Sequence, residues 1–247
     1  MAGRSAGLLD LDVTYLSGDA VRVDTDLRSV AASDVVGGMP VRRVHTAAGK
    51  RHYVGAFWSA TTGAHVSYES RLELDRLWLA DFDASVAWIA TQPFWLRGKD
   101  GRDVRRHVPD VLLRLTSGDY VVVDVKPVDF QSRPKVAAVL DWTSRACSAK
   151  GWRYEVWGGA NPVLLANIRH LGRARRAWLL LGSALQMARD VDPSERTWRA
   201  VRRDLRAAGV DSPDSCISAM LWRGIWLTDL NKPLGGDSVL SVAKTRA

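Results

Sequence analysis

Three charged residues at the ends of two apolar runs set the chemistry open to this chain. Pro109-Asp110 precedes one run, and after a gap of thirteen residues Asp124-Val125-Lys126 closes the next. Hydrolysis of a phosphodiester needs an activated water, neutralisation of phosphate charge and stabilisation of the departing oxygen. A magnesium ion, with manganese as a substitute, serves all three needs and takes hard oxygen ligands. Asp110 and Asp124 offer two carboxylates, the Val125 carbonyl offers a third oxygen, and Lys126 is placed to orient the water or offset phosphate charge. The plainer reading is structural, because Pro-Asp opens many strands and Asp-Val-Lys is common at a solvated strand end. Against it, Asp124 directly follows Val121-Val122-Val123, and a carboxylate entering a central strand is costly without a cation.

Strand geometry sharpens the expectation. Asp124 and Lys126 are two apart and leave the same face of a strand. Asp110 joins that face only if the intervening turn is odd in length. A three-residue loop at 117–119 sets Thr116 opposite Tyr120 and Asp110 opposite Lys126. A two-residue loop would set Asp110 opposite Val125 and turn it away. A further acid can come from an upstream helix, where Glu73 shares a face with Leu77 and Ala80. Glu69, one turn earlier, competes with it, and either is also the kind of residue that lines the edge of an apolar stripe.

The elements that must position these groups follow from periodicity. Strands are expected at 13–16 and 20–23, and β-like segments at 53–59 and 64–68 about the Thr61-Thr62-Gly63 turn. From Ser70 the period becomes helical, with Leu74, Leu77 and Trp78 recurring through Phe82. A strand at 86–90, Gln92-Pro93, two strands at 111–115 and 120–125, a helix at 134–150 and a strand at 153–157 follow. Helix, strand, hairpin, helix, strand describes an α/β fold around a small mixed sheet. Beyond Asn161 the chain reads as helices at 162–171, 174–189, 194–208 and 214–222, then a β-like piece at 224–230 and a turn at 233–236. Short helices ending in such a piece resemble a winged helix.

Charge narrows the partners. The formal net charge is +8, with 15 Lys and Arg against 16 Asp and Glu in residues 1–125 but 20 against 11 in 126–247. A basic half without a long apolar face favours nucleic acid over membrane, although solvated arginine faces account for charge equally simply. Arg173, Arg175 and Arg176, then Arg199, Arg202, Arg203 and Arg206, are the candidate stripes for DNA-backbone contact. Only Cys147 and Cys216 occur, which excludes a cysteine zinc site and a disulfide framework and makes a reducing cytoplasm the expected setting. Residues 1–12 lack the pattern of a signal peptide, and the longest apolar stretch, 177–181, is too short to span a bilayer, so no membrane association is expected. His107, beside Arg105 and Arg106, is placed to touch a phosphate but reads more simply as a solvated loop residue. His45, His52, His65 and His170 show no ligand spacing, and Trp78, Trp88, Trp142 and Trp157 read as core.

Several segments, taken in order, resemble the TnsA family, the endonuclease subunit of heteromeric cut-and-paste transposases and a branch of the PD-(D/E)xK nucleases. They are Trp58-Ser59-Ala60-Thr61-Thr62-Gly63, Glu69-Ser70-Arg71-Leu72-Glu73, Ala90-Thr91-Gln92-Pro93, Pro109-Asp110 and Val123-Asp124-Val125-Lys126-Pro127, within about residues 53–160. Thr91 stands where the family's Glu-Gln-Pro motif has an acid. The resemblance implies a restriction-endonuclease-like domain at 51–160, after an N-terminal extension at 1–50. An α-helical, winged-helix-like domain for DNA or partner binding then occupies 161–247. It assigns the helix acid to Glu73, the metal-binding Asp to Asp110 and the Lys to Lys126. The position of Asp124 takes an acid or an amide in the family, and Gln92 supports the ligands or the fold. It further implies cleavage of double-stranded DNA at transposon 5′ ends, with a DDE-type subunit cutting the 3′ ends and an AAA+ ATPase regulator docking on the C-terminal region. That region matches the family poorly, which leaves its partner contacts open. A stand-alone restriction or defence nuclease and a non-cleaving DNA-binding adaptor are the rival readings.

Overall fold

The computed structural model describes residues 6–42, 53–176 and 182–243. They divide into two units, Met1–Asp81 with Ser85–Gly159, and Phe82–Ala84 with Ala160–Ala247. The first unit runs α1 (Ala6–Leu9), β1 (Asp12–Leu16), β2 (Arg22–Asp26), α2 (Ala32–Val36), β3 (Gly55–Ser59), β4 (Ala64–Tyr68) and α3 (Arg71–Phe82). It continues β5 (Val86–Thr91), β6 (Trp95–Asp100), β7 (Asp103–His107), β8 (Val111–Leu115), β9 (Tyr120–Val125), α4 (Val128–Gln131), α5 (Pro134–Lys150) and β10 (Arg153–Trp157).

A mixed sheet of order β10-β9-β8-β5 is its centre, with β8 antiparallel to both β5 and β9 and β10 parallel to β9. The parallel pair needs a crossover, which α5 supplies. α5 begins on Pro134, whose missing N–H costs nothing in a first turn, and ends at Gly151, whose φ of 81° needs a residue without Cβ. β9 is a nearly unbroken apolar run because both its faces are covered. On one face Val121, Val123 and Val125 cluster with Ile89, Val111 and Leu113, with Leu77 and Ala80 of α3, and with Phe57 and Val66 of the β3–β4 hairpin. On the other, Val122 joins Leu112, Ala90, Trp142, Ala146 and Cys147, together with Val13, Tyr15 and Leu96 of a second sheet. Trp142 is fully buried as expected, while Trp78, Trp88 and Trp157 pack against these clusters from partly buried positions.

That second sheet, of order β2-β1-β6-β7, departs from the sequence reading, which places no strand over 95–107. Its outward positions on β6 and β7 include Arg97, Lys99 and Arg106, so few apolar residues reveal the period. β1 pairs with β6, and the described part of residues 1–50 thereby belongs to the first unit. The β8–β9 loop is odd in length, as expected, but displaced by one residue. Leu115 N donates to Asp119 O and Gly118 N to Leu115 O, leaving a loop of 116–118 with Gly118 at φ 91°. A three-residue hairpin loop ends in a left-handed residue, and Gly118 is the one able to serve there without strain, so the loop must close on it. The register becomes Val111↔Val123, which carries Asp110 opposite Asp124 rather than Lys126 and keeps all three on one parity.

The second unit holds α6 (Pro162–Leu171), a 3-10 turn at Gly172–Ala174, α7 (Gly182–Arg189), β11 (Arg196–Thr197), α8 (Trp198–Ala207), α9 (Pro213–Trp222), β12 (Trp226–Leu227) and β13 (Val239–Val242). Of the helix expected over 174–189, residues 177–181 lie outside those described. The helix expected from 194 starts at Trp198, because Thr197 caps it through Ala200 N at 3.3 Å and residues 196–197 pair with β13 instead. β11, β13 and β12 form a small sheet in that order. α9 is the centre of this unit, with residues 216–222 all buried and α6, α7 and α8 against it. Among the described residues no helix is long and apolar enough to cross a membrane.

One polar contact ties α3 to the β3–β4 turn. The buried Asp81 carboxylate accepts from Ser59 Oγ at 2.7 Å, Thr61 N at 2.8 Å and Ala60 N at 3.1 Å. Asp81→Ala would leave those donors without partners inside the protein, so it should destabilise the first unit by ~2–4 kcal/mol, read as a lower urea midpoint at unchanged slope. An unchanged midpoint would show that the turn holds without this carboxylate.

Candidate functional site

β8 and β9 end their pairing at Asp110, and three backbone-level contacts fix that residue. Its N–H donates to Val123 O at 3.1 Å, its carbonyl accepts from Gln92 N at 2.9 Å, and its Oδ2 accepts from Val125 N at 2.7 Å. The side chain thus takes over where the ladder stops, turning the carboxyl toward the end of β9. Burial first, then the Asp124 carboxylate and then that of Glu73, push the Asp110 carboxyl up from 3.8 to about 7. The Val125 N–H and the charge of Lys126 oppose that rise. Asp110 therefore lies within the field of Glu73, Asp124 and Lys126.

Glu73 is placed by the start of α3. Its Oε1 accepts from Ser70 Oγ and its Oε2 from Glu69 N, both at 2.8 Å, while Ser70 Oγ accepts from Glu73 N at 3.1 Å. Ser70 caps the Glu73 N–H as in a capping box, while the Glu73 carboxylate reaches back to Glu69 N–H and Ser70 Oγ; the Ser-x-x-Glu signature stands in the sequence at Ser70-Arg71-Leu72-Glu73. Burial, chiefly, raises the Glu73 carboxyl, with Glu69 adding to the rise and Glu69 N–H, Ser70 and Lys126 opposing it. Glu69 turns instead toward Arg42, Nη1 to Oε2 at 3.7 Å. Lys126 is held through its backbone: N–H to Trp157 O at 2.9 Å, and carbonyl from Gln131 Nε2 at 2.9 Å.

Asp124, expected as a metal ligand, is engaged by donors of the protein. Only 1% exposed, it receives His107 Nε2 at 2.8 Å on Oδ1 and 2.9 Å on Oδ2, and Tyr154 Oη at 2.5 Å on Oδ2. Burial first, and then Asp124, push the Tyr154 hydroxyl far up, so it stays a donor. Both Asp124 oxygens thus accept hydrogen bonds within the protein, as both Glu73 oxygens do from Ser70 and Glu69, while Asp110 accepts on Oδ2 from Val125 N. Correspondingly, among the described residues no three His, Cys, Asp or Glu side chains are grouped to hold a metal ion. Two carboxylates within the field of a lysine, one of them raised to about 7 by burial first and then by neighbouring acids, still fit magnesium, which is commonly held by one or two carboxylates with water and substrate phosphate completing its shell.

The flanking residues resolve differently. His107, read from sequence as a solvated loop residue, ends β7 and reaches Asp124; an undetected hairpin hid its position. Arg105 is taken up by Asp100 and Asp103 of its own hairpin, and Arg106 lies over the Trp95 ring with Cζ 3.6 Å from the centroid. Gln92 is 2% exposed and adopts φ 47°; its N–H carries the Asp110 carbonyl, while its buried Oε1 has no partner among the described residues. Tyr154 was not singled out by sequence reasoning, since a tyrosine inside an apolar strand carries no signal of its own.

No protein-family model matches the chain, and no curated protein matches it in sequence. The likeness to the TnsA family accordingly rests on the motif residues themselves.

Asp110 imposes a measurable cost. Between pH ~4 and about 7 the folded protein holds a proton here that the unfolded chain has released, so stability falls as pH rises through that window. Asp110→Asn keeps an acceptor for Val125 N–H and removes the ionisation. In EDTA the variant should unfold at higher temperature than wild type at pH 8, by up to ~4 kcal/mol before solvent screening, with the two converging near pH 4. A gap that does not change with pH would contradict the raised carboxyl.

Proposed function

We propose that the first unit is a divalent-metal-dependent nuclease of restriction-endonuclease-like fold. More particularly, we read the chain as a TnsA-like subunit of a heteromeric transposase, hydrolysing phosphodiesters of double-stranded DNA at transposon 5′ ends. The observation that carries this reading is that Asp110, held at the end of β8 by Val125 N–H, feels the charges of Asp124, Glu73 and Lys126 and is pushed to about 7, by burial first and then by the two acids. The order α3, β5, β8, β9, α5, β10 around one mixed sheet supports the fold assignment. In the second unit the order helix, strand, helix, helix, strand, strand, with β13 between β11 and β12, supports a winged helix.

Asp110 and Glu73 would hold the magnesium ion, with the Val125 carbonyl alongside. Bound there, the ion supplies polarisation of the phosphate and a more acidic water. Asp110 cannot swing away, since Val125 N–H and the backbone of Val123 and Gln92 hold it. Lys126 brings a cation to the same place, where it offsets phosphate charge and orients the attacking water. Glu73 combines two tasks, capping α3 and facing Asp110, so the helix start is rigid where the ligand must be. Asp124, through His107 and Tyr154, fastens the end of β9 rather than meeting the ion. The basic character of residues 126–247 suits DNA, and a DDE-type transposase subunit and an AAA+ ATPase are the proposed protein partners.

Calorimetry with Mg²⁺ or Mn²⁺ tests the ligand set without any partner. Wild type should bind one ion and Asp110→Ala none. In nicking assays supplied with transposase and ATPase partners, Asp110→Ala and Lys126→Ala should lose roughly 10²–10⁴-fold in rate. A wild type that binds no divalent ion and nicks no DNA with partners present would leave the chain a DNA-binding adaptor.

A further inference from the structure

The outward face of the β2-β1-β6-β7 sheet carries a trough of about 420 Å³ lined by residues of all four strands and by Val41. Arg97 on β6 stands directly opposite Arg106 on β7, both exposed, and neither is in an ion pair with a described residue. On its other side Arg97 stands opposite Asp12 of β1, so Arg106, on the last strand of the sheet, is the arginine with no acid opposite it across a ladder. Arg106 is laid over Trp95 with Cζ 3.6 Å from the ring centroid, and Arg42 approaches the same ring at 5.2 Å. A guanidinium held flat on an indole loses little freedom when its N–H edge forks onto a phosphate. Of the two aspartates lining the trough, Asp24 is already taken by Arg22 at 2.9 Å and by Thr14 Oγ1 at 2.6 Å.

The trough also leads to the candidate site. Val41 N donates to Gln92 O, and Gln92 N to Asp110 O, each at 2.9 Å. Arg42 reaches Glu69, whose N–H carries Glu73. Two short links therefore join the basic trough to both carboxylates.

We propose that this trough seats the phosphate backbone of the DNA running on from the scissile phosphate, with Arg97 and Arg106 on its phosphates and Trp95 holding Arg106 in place. The assignment rests on the nuclease reading for the identity of the polyanion, and its test does not depend on cleavage. DNA binding by the full chain is followed by fluorescence anisotropy in Ca²⁺ across a salt series. Arg97→Ala/Arg106→Ala should weaken binding about 10-fold or more near 0.1 M salt and reduce the slope of log K against log salt by about 2. Arg97→Lys/Arg106→Lys should restore the slope but not the full affinity. Lys135→Ala/Arg153→Ala removes the same charge elsewhere on the unit and should change little. Circular dichroism melts establish that each variant is folded. Retained affinity and slope in the alanine pair, or binding of poly-glutamate by the trough in preference to DNA, overturns the proposal and leaves the nuclease reading standing. Loss of binding together with a wild type that never cleaves supports the trough and overturns the nuclease reading.

Discussion

A carboxylate at the end of a strand covered on both faces must find donors within the protein, and much of the first unit is arranged around that requirement at Asp124. Its donors come from different layers: His107 from the last position of β7 in the second sheet, Tyr154 from β10 in the first. Desolvating an acid without such partners costs several kcal/mol, so the two sheets cannot separate at this end without exposing that penalty. The contact therefore acts as a clasp. It fixes the end of β9, and Val125 N and Lys126 follow immediately in the chain.

From that fixed end the rest of the site is set by backbone geometry. Val125 N–H is left without a ladder partner once β8 and β9 part, and the Asp110 carboxylate takes it. The positions of Asp110 and Lys126 are thus consequences of where pairing stops, which depends in turn on a loop closed by Gly118. Glu73 arrives by another route, through the cap of α3, while Asp81 near the other end of that helix pins it to the β3–β4 turn. Helix and sheet bring acids together that neither element could assemble alone.

How far this was legible in the sequence depends on which kind of constraint decided each feature. The central strands, α3 and α5 are visible because burial imposes period on apolar residues, and β9 announces itself by having none that are polar before Asp124. Parity was also legible: an odd loop was required, and the loop is odd, although its position turned on the left-handed demand met by Gly118. The β6–β7 hairpin was not legible, because its outward side chains are charged and its inward ones include Gly98, Arg105 and His107. Missing that hairpin cost the reading of His107 and, with it, the fact that Asp124 is occupied. The capping role of Glu73 was present in the local pattern and needed no structure to see.

Asp124 acts on Asp110 through its charge even though its oxygens accept hydrogen bonds. Asp110 and Glu73 with Lys126 carry a net negative charge when both acids are ionised, and a proton on Asp110 offsets it as a cation would. Burial first, and then the charges of Asp124 and Glu73, raise the Asp110 carboxyl. Structural ion pairs have the opposite character: Asp100, held by Arg145 and Arg105, is lowered from the ordinary carboxylate value, and so is Asp24 beside Arg22. Where a fold needs a carboxylate for stability, it supplies a cation or donors enough to satisfy it. At Asp110 burial outweighs its one N–H donor and the charge of Lys126, and the carboxyl is raised rather than lowered.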